Sequence, residues 1–304
     1  MHSALVAVEK VLLFKIVSLM NFLKFVFLVG SVSVMAQKSM TDVKELMSFS
    51  PDETSIKFNE VYTDNFFFGN FGIKPLVNVI PINNSKVKSI KISAEKGGKK
   101  IPNVMELNYD KEGKISKLKV SEMLAGNARE VTYKYQGGVI AEEIFKDAKS
   151  TKSNKFYYSN GKMVVENFKG VVDVFQLNGN VLYKNSYLNG KPVFSDRFEG
   201  KCRITTYLKE DIDKTCYSNF QSELPMVIEE FVASYSAKGK PTLVPENKWE
   251  LKKVDELNYA IYRDGKEIYQ VKLDKDKRVK TFQFLGNKSE NQPAVTYSFA
   301  YTYY

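Results

Sequence analysis

The stretch Tyr157-Tyr-Ser-Asn-Gly161-Lys-Met-Val-Val165 decides the fold, because it places aromatic residues before an Asn-Gly pair and aliphatic residues after it. Asn and Gly both tolerate the positive φ of a type I′ turn, so an Asn-Gly pair between two apolar runs predicts a tight β-hairpin. The same pattern recurs around Gly179 and Gly190. The three copies together predict a β-meander over Tyr157 to Val193.

Glycines on both sides of this stretch set a repeat. The first three are 24 residues apart, the length of one hairpin with its turns, and the next three follow at closer intervals of about one strand and one turn. These glycines are Gly113, Gly137, Gly161, Gly179, Gly190 and Gly200.

The pattern Tyr/Leu-x-Tyr/Leu-Asp/Asn-x-Gly-Lys-Ile/Met/Val, seen around Gly113 and Gly161, resembles the bacterial tyrosine-aspartate repeats of Rhs-type shells and the Asn-Gly-Lys variants of the MORN repeat. The resemblance covers roughly Val104 to Cys202, with a weaker copy at Tyr262 to Ile268. It implies a long antiparallel meander and a role between encapsulation and scaffolding, and it brings no catalytic residues. The copies are fewer than in Rhs shells, too few to enclose a cavity.

The predicted fold class is therefore mainly β, an antiparallel repeat meander of hairpins with one amphipathic helix packed on the sheet. Residues 37–98 are predicted as an N-terminal portion with a short helix near Ser39–Met47 and several strands, among them Ile56–Tyr62. The Gly97-Gly98 pair separates this portion from a β-repeat region over residues 99–304.

The amphipathic helix is predicted at residues 222–238. Ser222 suits the N-cap, Pro225 is tolerated in a first turn, and Gly239 follows the end. One apolar stripe is formed by Leu224, Val227, Ile228, Phe231 and Val232.

The chain closes on Val295–Tyr304, where aromatic residues alternate strictly with small ones. A terminal aromatic strand is also typical of a small outer-membrane β-barrel, which we keep as an alternative. Strands such as Lys114–Val120 argue against it, because they carry charges where a lipid-facing band is apolar.

The N-terminus predicts export. Met20 to Lys24 forms a short basic region, an apolar run follows, and Val34-Met-Ala36 is a small-residue cleavage signal before Gln37. We predict that residues 1–36 are a signal peptide with its natural start at Met20, and that the mature protein is periplasmic or secreted. The alternative is an uncleaved membrane anchor over Val11–Ala36.

Charge suggests the kind of partner. Removal of residues 1–36 takes away three lysines and one glutamate, so the formal charge falls from +10 to +8. A basic exported protein is attracted to anionic surfaces, and we expect an envelope polymer or a protein partner. The lysines are spread through the strands without a long basic run, so we expect no specific nucleic acid, and solvated strand faces explain the lysines equally well.

Two cysteines, Cys202 and Cys216, are separated by two strand-like runs and a charged turn. In an oxidising compartment an even pair predicts a structural disulfide. A catalytic or metal role needs a nearby histidine or a second thiol at short spacing, and the sequence offers neither.

Four phenylalanines, Phe66, Phe67, Phe68 and Phe71, stand among Gly and Asn. Flat rings give a large contact area at low entropic cost, so this cluster is the candidate binding platform. The alternative is a core strand and its turn.

The sequence contains no residue pattern that identifies a reaction. The only histidine is His2, inside the segment predicted to be removed, so we predict no cofactor, no metal site and no catalysis. Adjacent acids such as Glu142-Glu143 point to opposite faces of a strand and form no dyad by themselves. A glycan hydrolase whose two carboxylates meet only in the fold remains the enzymatic alternative. The leading prediction is an exported non-catalytic β-repeat protein with a structural or binding role at the bacterial cell envelope.

Overall fold

A computed structural model describes residues 43, 46–69, 86–179, 181–221, 224–235, 241–287 and 291–304. The predicted signal peptide and Phe71 lie outside the described residues. The helices are α1 (Ser55–Gly69) and α2 (Glu122–Ala125). The strands are β1 (Val87–Lys96), β2 (Lys99–Tyr109), β3 (Ile115–Val120), β4 (Arg129–Gln136), β5 (Val139–Lys146), β6 (Thr151–Ser159), β7 (Lys162–Glu166), β8 (Val171–Asn178), β9 (Val181–Leu188), β10 (Lys191–Glu199), β11 (Cys202–Tyr207), β12 (Glu210–Gln221), β13 (Leu224–Ser234), β14 (Thr242–Lys253), β15 (Asn258–Arg263), β16 (Lys266–Leu273), β17 (Val279–Phe284) and β18 (Val295–Tyr303).

The strands form one closed antiparallel barrel. Each strand pairs with the next along the chain, and β18 returns to pair with β1 from Val87↔Tyr303 to Lys96↔Val295. The prediction of a mainly-β antiparallel meander with one helix packed on the sheet is confirmed. The repeat stretch Val104–Cys202 covers most of β2 to β10, and the other strands, β1 and β11–β18, complete the ring.

The spacing of the glycines matches the positions of the turns between the barrel strands. Asn160 and Gly161 both have positive φ, as do Asn189 and Gly190, which is the backbone that the hairpin prediction requires. Turns 24 residues apart lie at the same end of the barrel because each unit adds two antiparallel strands. Gly97 and Gly98 form the turn between β1 and β2, which pair with each other in the barrel.

One face of the sheet is apolar and lines the inside. Cross-strand partners share a face, and buried residues from β1–β8 and β12–β18, on opposite sides of the ring, pack into one cluster, which only an inner surface allows. Representative members are Ile90, Leu107, Leu118, Val131, Phe156, Met163, Ile228, Ile261, Val271 and Phe282. The aromatic residues of β18, including Tyr297 and Tyr301, contact this cluster and so lie on the inner face.

The outer face carries two ladders of alternating charge. In the first charge ladder, directly paired residues of β1 to β5 read Lys91, Glu106, Lys119, Glu130 and Lys146. In the second charge ladder, β4 to β7 supply Lys134, Glu142, Lys155 and Glu166. Opposite charges directly across neighbouring strands attract, so the pairing register itself stabilises this surface.

Helix α1 contains the segment Ile56–Tyr62, which the sequence predicted to be a strand, so that prediction is wrong. Phe58 and Val61 are buried on one side of the helix, whereas Ile56 is 53% exposed. A spacing of three residues between buried positions is helical. Asp52 precedes the helix and accepts hydrogen bonds from the backbone N–H and hydroxyl of Thr54, which favours a helix start.

The sequence predicted a helix at residues 222–238, and the described part of that segment is a strand. Residues Leu224–Ser234 form β13, which pairs with β12 on one side and β14 on the other. Met226 and Ile228 are buried two residues apart, as in a strand. The apolar residues satisfy both the helical and the strand period, and the two available neighbouring strands decide between them.

The N-terminal segment crosses the barrel wall where β5 and β6 separate. Beyond Lys155, β6 no longer pairs with β5, and Phe49 forms a parallel bridge with Tyr158 instead. Val43 and Leu46 have helical backbone and pack on the outer face of β7 and β8. Helix α1 then lies against the inner face of β5, β7 and β9, so the chain passes from outside to inside at this gap.

Candidate functional site

A cavity of about 270 Å³ lies inside the barrel, beside β15 to β18 and the segment that joins β17 to β18. Its floor is aromatic: the Tyr269 and Phe282 rings stack with centroids 5.1 Å apart, and Phe282 and Tyr297 stack at 6.2 Å. The strand register places these rings on the inner face. The full lining is Arg263, Ile268, Tyr269, Phe282, Phe284, Asn287, Gln292, Val295 and Tyr297.

Arg263 supplies the positive charge of this cavity. Its guanidinium lies 5.7 Å from the centre of the Trp249 ring, which neighbours it across β14 and β15. Trp249 in turn donates its indole N–H to Glu230 Oε2 at 2.8 Å. Among the described residues Arg263 makes no ion pair, so its charge is available to a ligand.

The cavity tyrosines are held neutral. Burial raises the pKa of Tyr269, against a smaller opposing effect of the nearby Arg263 charge. Burial also raises the pKa of Tyr297. Both phenols therefore stay protonated at neutral pH and offer hydroxyl groups without adding charge to the cavity.

A buried carboxyl, Glu143, lies on the inner face of β5 under helix α1. Its Oε2 accepts a hydrogen bond from Tyr62 Oη at 3.1 Å and one from Asn154 Nδ2 at 3.0 Å. The side chain is fully buried, and this burial raises its pKa to about 7. Burial and the Glu143 charge also raise the pKa of Tyr62. This constellation joins the helix to the wall, and its residues do not line the cavity beside β15 to β18.

A polar patch of the inner wall covers β8 to β12. Asp196 accepts hydrogen bonds from Thr205 Oγ1 at 2.7 Å and from the backbone N–H of Lys184 at 3.1 Å. Asp213 follows Thr205 in the same cross-strand row, and burial raises its pKa. The two carboxylates stand two strands apart, roughly 10 Å between backbones at the usual strand spacing. The hydrolase alternative requires two carboxylates on either side of one glycosidic bond, and these two inner acids are its candidate pair.

The structure describes the side chains of some predicted site residues and not of others. Phe66, Phe67 and Phe68 belong to helix α1, and their side chains lie outside the described part of the chain, so the aromatic platform stays a prediction. Cys202 and Cys216 are directly paired on β11 and β12 and form the predicted disulfide. Glu142 and Glu143 point to opposite faces, as predicted.

The cavity residues were missed by the sequence reasoning, although a signal existed. The strict aromatic alternation of Val295–Tyr304 placed a row of rings on one face. Matching rings at Tyr269 and Phe282 follow only from the pairing of β16, β17 and β18. Within the described ranges, no helix is long and apolar enough to cross a bilayer. Nor do three His, Cys, Asp or Glu side chains gather there in a metal-binding group.

No protein-family model matches the sequence, and no curated protein does. Among solved structures, the chain is similar to a porin-like protein from Bacteroides uniformis ATCC 8492, with a TM-score of 0.38 and 7% identity over 73% of this chain and 100% of that one. It is also similar to a porin-like protein from Bacteroides vulgatus ATCC 8482, with a TM-score of 0.33 and 11% identity over 71% of this chain and 98% of that one. At this distance, function has to be argued from the chain's own residues.

Proposed function

We propose that this protein is an exported β-barrel of the bacterial cell envelope that works without catalysis, as a binding component in the aqueous part of the envelope. The barrel is inverted relative to one that faces lipid, with its apolar side chains inside and its charges outside. The basic exterior and the inner cavity offer two kinds of contact, one for an envelope polymer or protein partner and one for a small molecule.

The charge ladders on the outer face are the observation that carries this proposal. The first charge ladder crosses five neighbouring strands and the second crosses four. Ion pairs reinforce them, with Lys134 Nζ 2.8 Å from Glu142 Oε2 and Lys117 Nζ 2.9 Å from Glu130 Oε1.

Lipid contact would be costly for this surface. A lysine on the lipid face costs about 2–4 kcal/mol at the bilayer midplane. The first charge ladder alone contains three lysines, one each on β1, β3 and β5. The total would be comparable to the whole stability of a folded domain, about 5–15 kcal/mol.

Fractionation of the native host tests the proposal. We expect a mature chain starting at Gln37 in the soluble periplasmic or secreted fraction, released without detergent. Recovery only in the membrane fraction, resistant to high salt and alkaline washing, would overturn the aqueous location. An unprocessed N-terminus in that fraction would instead identify the segment Val11–Ala36 as an anchor.

An outer-membrane barrel is the second candidate, and ring closure is the observation that favours it. The eighteen described strands close on each other, so each strand has a paired neighbour on both sides, as a bilayer demands of a spanning sheet. The closed ring fits this alternative better than the open repeat meander. Protein that stays in the membrane fraction through salt and alkaline washes, and is released only by detergent, would support an outer-membrane barrel.

The hydrolase alternative stays a prediction centred on Asp196 and Asp213. Turnover of an envelope glycan by the purified protein, lost in Asp213→Asn with the fold intact, would support it. Absence of turnover across neutral and acidic glycans would leave the non-catalytic proposal standing.

A further inference from the structure

We propose that the inner cavity beside β15 to β18 binds a single sugar ring that carries a carboxylate, of the size of one hexuronic acid. This inference rests on the binding role proposed above but not on the compartment, because the cavity lies inside the barrel whichever medium surrounds it. It deepens that role by naming the chemical class of the ligand.

The stacked rings provide the surface for the sugar. Tyr269, Phe282 and Tyr297 form one continuous stack, with interplanar angles of 27° at both contacts, so the neighbouring rings cover the faces of Phe282 and the rim of the stack is the apolar surface offered to a ligand. The C–H groups of a pyranose ring are apolar and pack on aromatic surface, which desolvates them with little loss of conformational entropy.

Polar groups around the floor match the hydroxyls of a sugar. Asn287 and Gln292 line the cavity with amide side chains, and Tyr269 and Tyr297 contribute neutral phenols. Donors and acceptors of this kind hydrogen-bond hydroxyl groups in either direction. Asn287 and Gln292 also exchange backbone hydrogen bonds of 2.8 and 2.9 Å, which fix the segment that presents them.

Arg263 selects for a negative charge. It lines the cavity, makes no ion pair with the described residues, and is held in place over the Trp249 ring. A guanidinium takes a carboxylate through two parallel hydrogen bonds. Arg263 is partly exposed, and a bound carboxylate would give it the counter-charge that the described ion pairs do not supply.

The size of the cavity sets the length of the ligand. A volume of about 270 Å³ lies just below the usual range of small-molecule sites, about 300–1,000 Å³. One sugar ring with its carboxylate fits this volume. The site therefore takes a monosaccharide or the terminal residue of a chain.

The single tryptophan provides the readout. Trp249 is the only tryptophan of the chain and contacts Arg263, so displacement of that guanidinium toward a ligand changes its fluorescence. The native disulfide-bonded protein is titrated with D-glucuronate, D-glucose and benzoate, with ligand-observed NMR as a second readout. We expect glucuronate to bind saturably below about 10 mM, and glucose and benzoate about tenfold or more weakly.

Two arginine variants make the test specific. Arg263→Gln is expected to weaken glucuronate binding about tenfold or more. Arg278→Gln is the matched control, because Arg278 also lies over aromatic rings, those of Tyr301 and Tyr303, but does not line the cavity. It should bind glucuronate as the wild type does.

Three results would overturn the proposal: no saturable glucuronate binding in either readout, equal binding by wild type and Arg263→Gln, or tighter binding of benzoate than of glucuronate. Each of these leaves the fractionation result untouched, so failure of the ligand assignment is distinct from failure of the proposed location. Circular dichroism of both variants confirms that a loss of binding is not a loss of fold.

Discussion

Tyr62 of helix α1 donates a hydrogen bond to Glu143 of strand β5 across 3.1 Å, and this contact ties the inner helix to the barrel wall. Glu142, the preceding residue, points outward and pairs with Lys134 at 2.8 Å. Two adjacent carboxyls therefore stand in opposite environments, one buried and one solvated. Burial raises the pKa of Glu143, whereas the hydrogen bond from Lys134 lowers the pKa of Glu142.

The first prediction concerns pH and Glu143. Its pKa in the folded protein is about 7 and its ordinary value is 4.5, so the folded state holds a proton that the unfolded chain releases. The stabilisation is complete below pH 4.5 and is lost as pH rises to about 7. At 1.36 kcal/mol per pKa unit, the loss is about 3 kcal/mol. Glu143→Gln should remove this slope, as measured by urea unfolding between pH 4.5 and 8.

Glu142→Gln is the matched control for this prediction. It removes the neighbouring carboxyl on the outer face and should leave the decline between pH 4.5 and 7 in place. A wild-type free energy of unfolding that is flat over this range, or an unchanged slope in Glu143→Gln, would contradict the assignment.

The second prediction concerns the inner helix. Phe58→Ala should lower the free energy of unfolding by about 3–5 kcal/mol, because Phe58 is buried in the main core cluster. Ile56→Ala, two residues earlier on the exposed side, should change it by less than about 0.5 kcal/mol. Chemical denaturation measures both. Equal effects would argue for a strand at this position, as the sequence first suggested.

The third prediction concerns the disulfide between Cys202 and Cys216. It closes a loop of 14 residues, which the chain-entropy relation values at about 3 kcal/mol. Reductant should lower the unfolding midpoint of the wild type toward that of the Cys202→Ser/Cys216→Ser variant. The variant itself should not respond to reductant. A midpoint of the wild type that is indifferent to reductant would be inconsistent with a stabilising bridge.

The fourth prediction concerns the first charge ladder. Glu130 lies between Lys119 and Lys146, so Glu130→Lys places three like charges side by side and should cost about 1 kcal/mol. Glu130→Gln removes the attraction without adding repulsion and should cost less. Both losses should shrink in 1 M salt, where charges are screened within about 3 Å. Losses that persist unchanged in high salt would point to packing instead of charge.

Local signals in the sequence predicted the turns and the alternation of side chains between the two faces of a strand. Asn160-Gly161 and Asn189-Gly190 fix hairpins through residues that accept positive φ, and Val295–Tyr303 shows the strand period directly. These features depend only on neighbours along the chain. The disulfide follows from the same logic, since one hairpin places its two cysteines opposite each other.

Long-range pairing could not be predicted. Residues 55–69 and 224–234 each satisfy both the helical and the strand period, and only the partners available in space assign one as helix and the other as strand. The closure of β18 onto β1 joins residues more than two hundred positions apart. The contact of Tyr62 with Glu143 depends on the placement of the helix inside the barrel, and the aromatic cavity depends on the register of β16, β17 and β18.

The central claim is that the outer face meets water, and cysteine labelling tests it most directly. Both natural cysteines are in the disulfide, so Thr132→Cys and Ser298→Cys, mid-strand on the outer face of β4 and β18, each add one free thiol. In the native envelope fraction, before any detergent, we predict that both thiols react with a membrane-impermeant maleimide as fast as an unfolded control. Protection of both thiols until detergent is added would contradict the account and place the barrel wall in lipid.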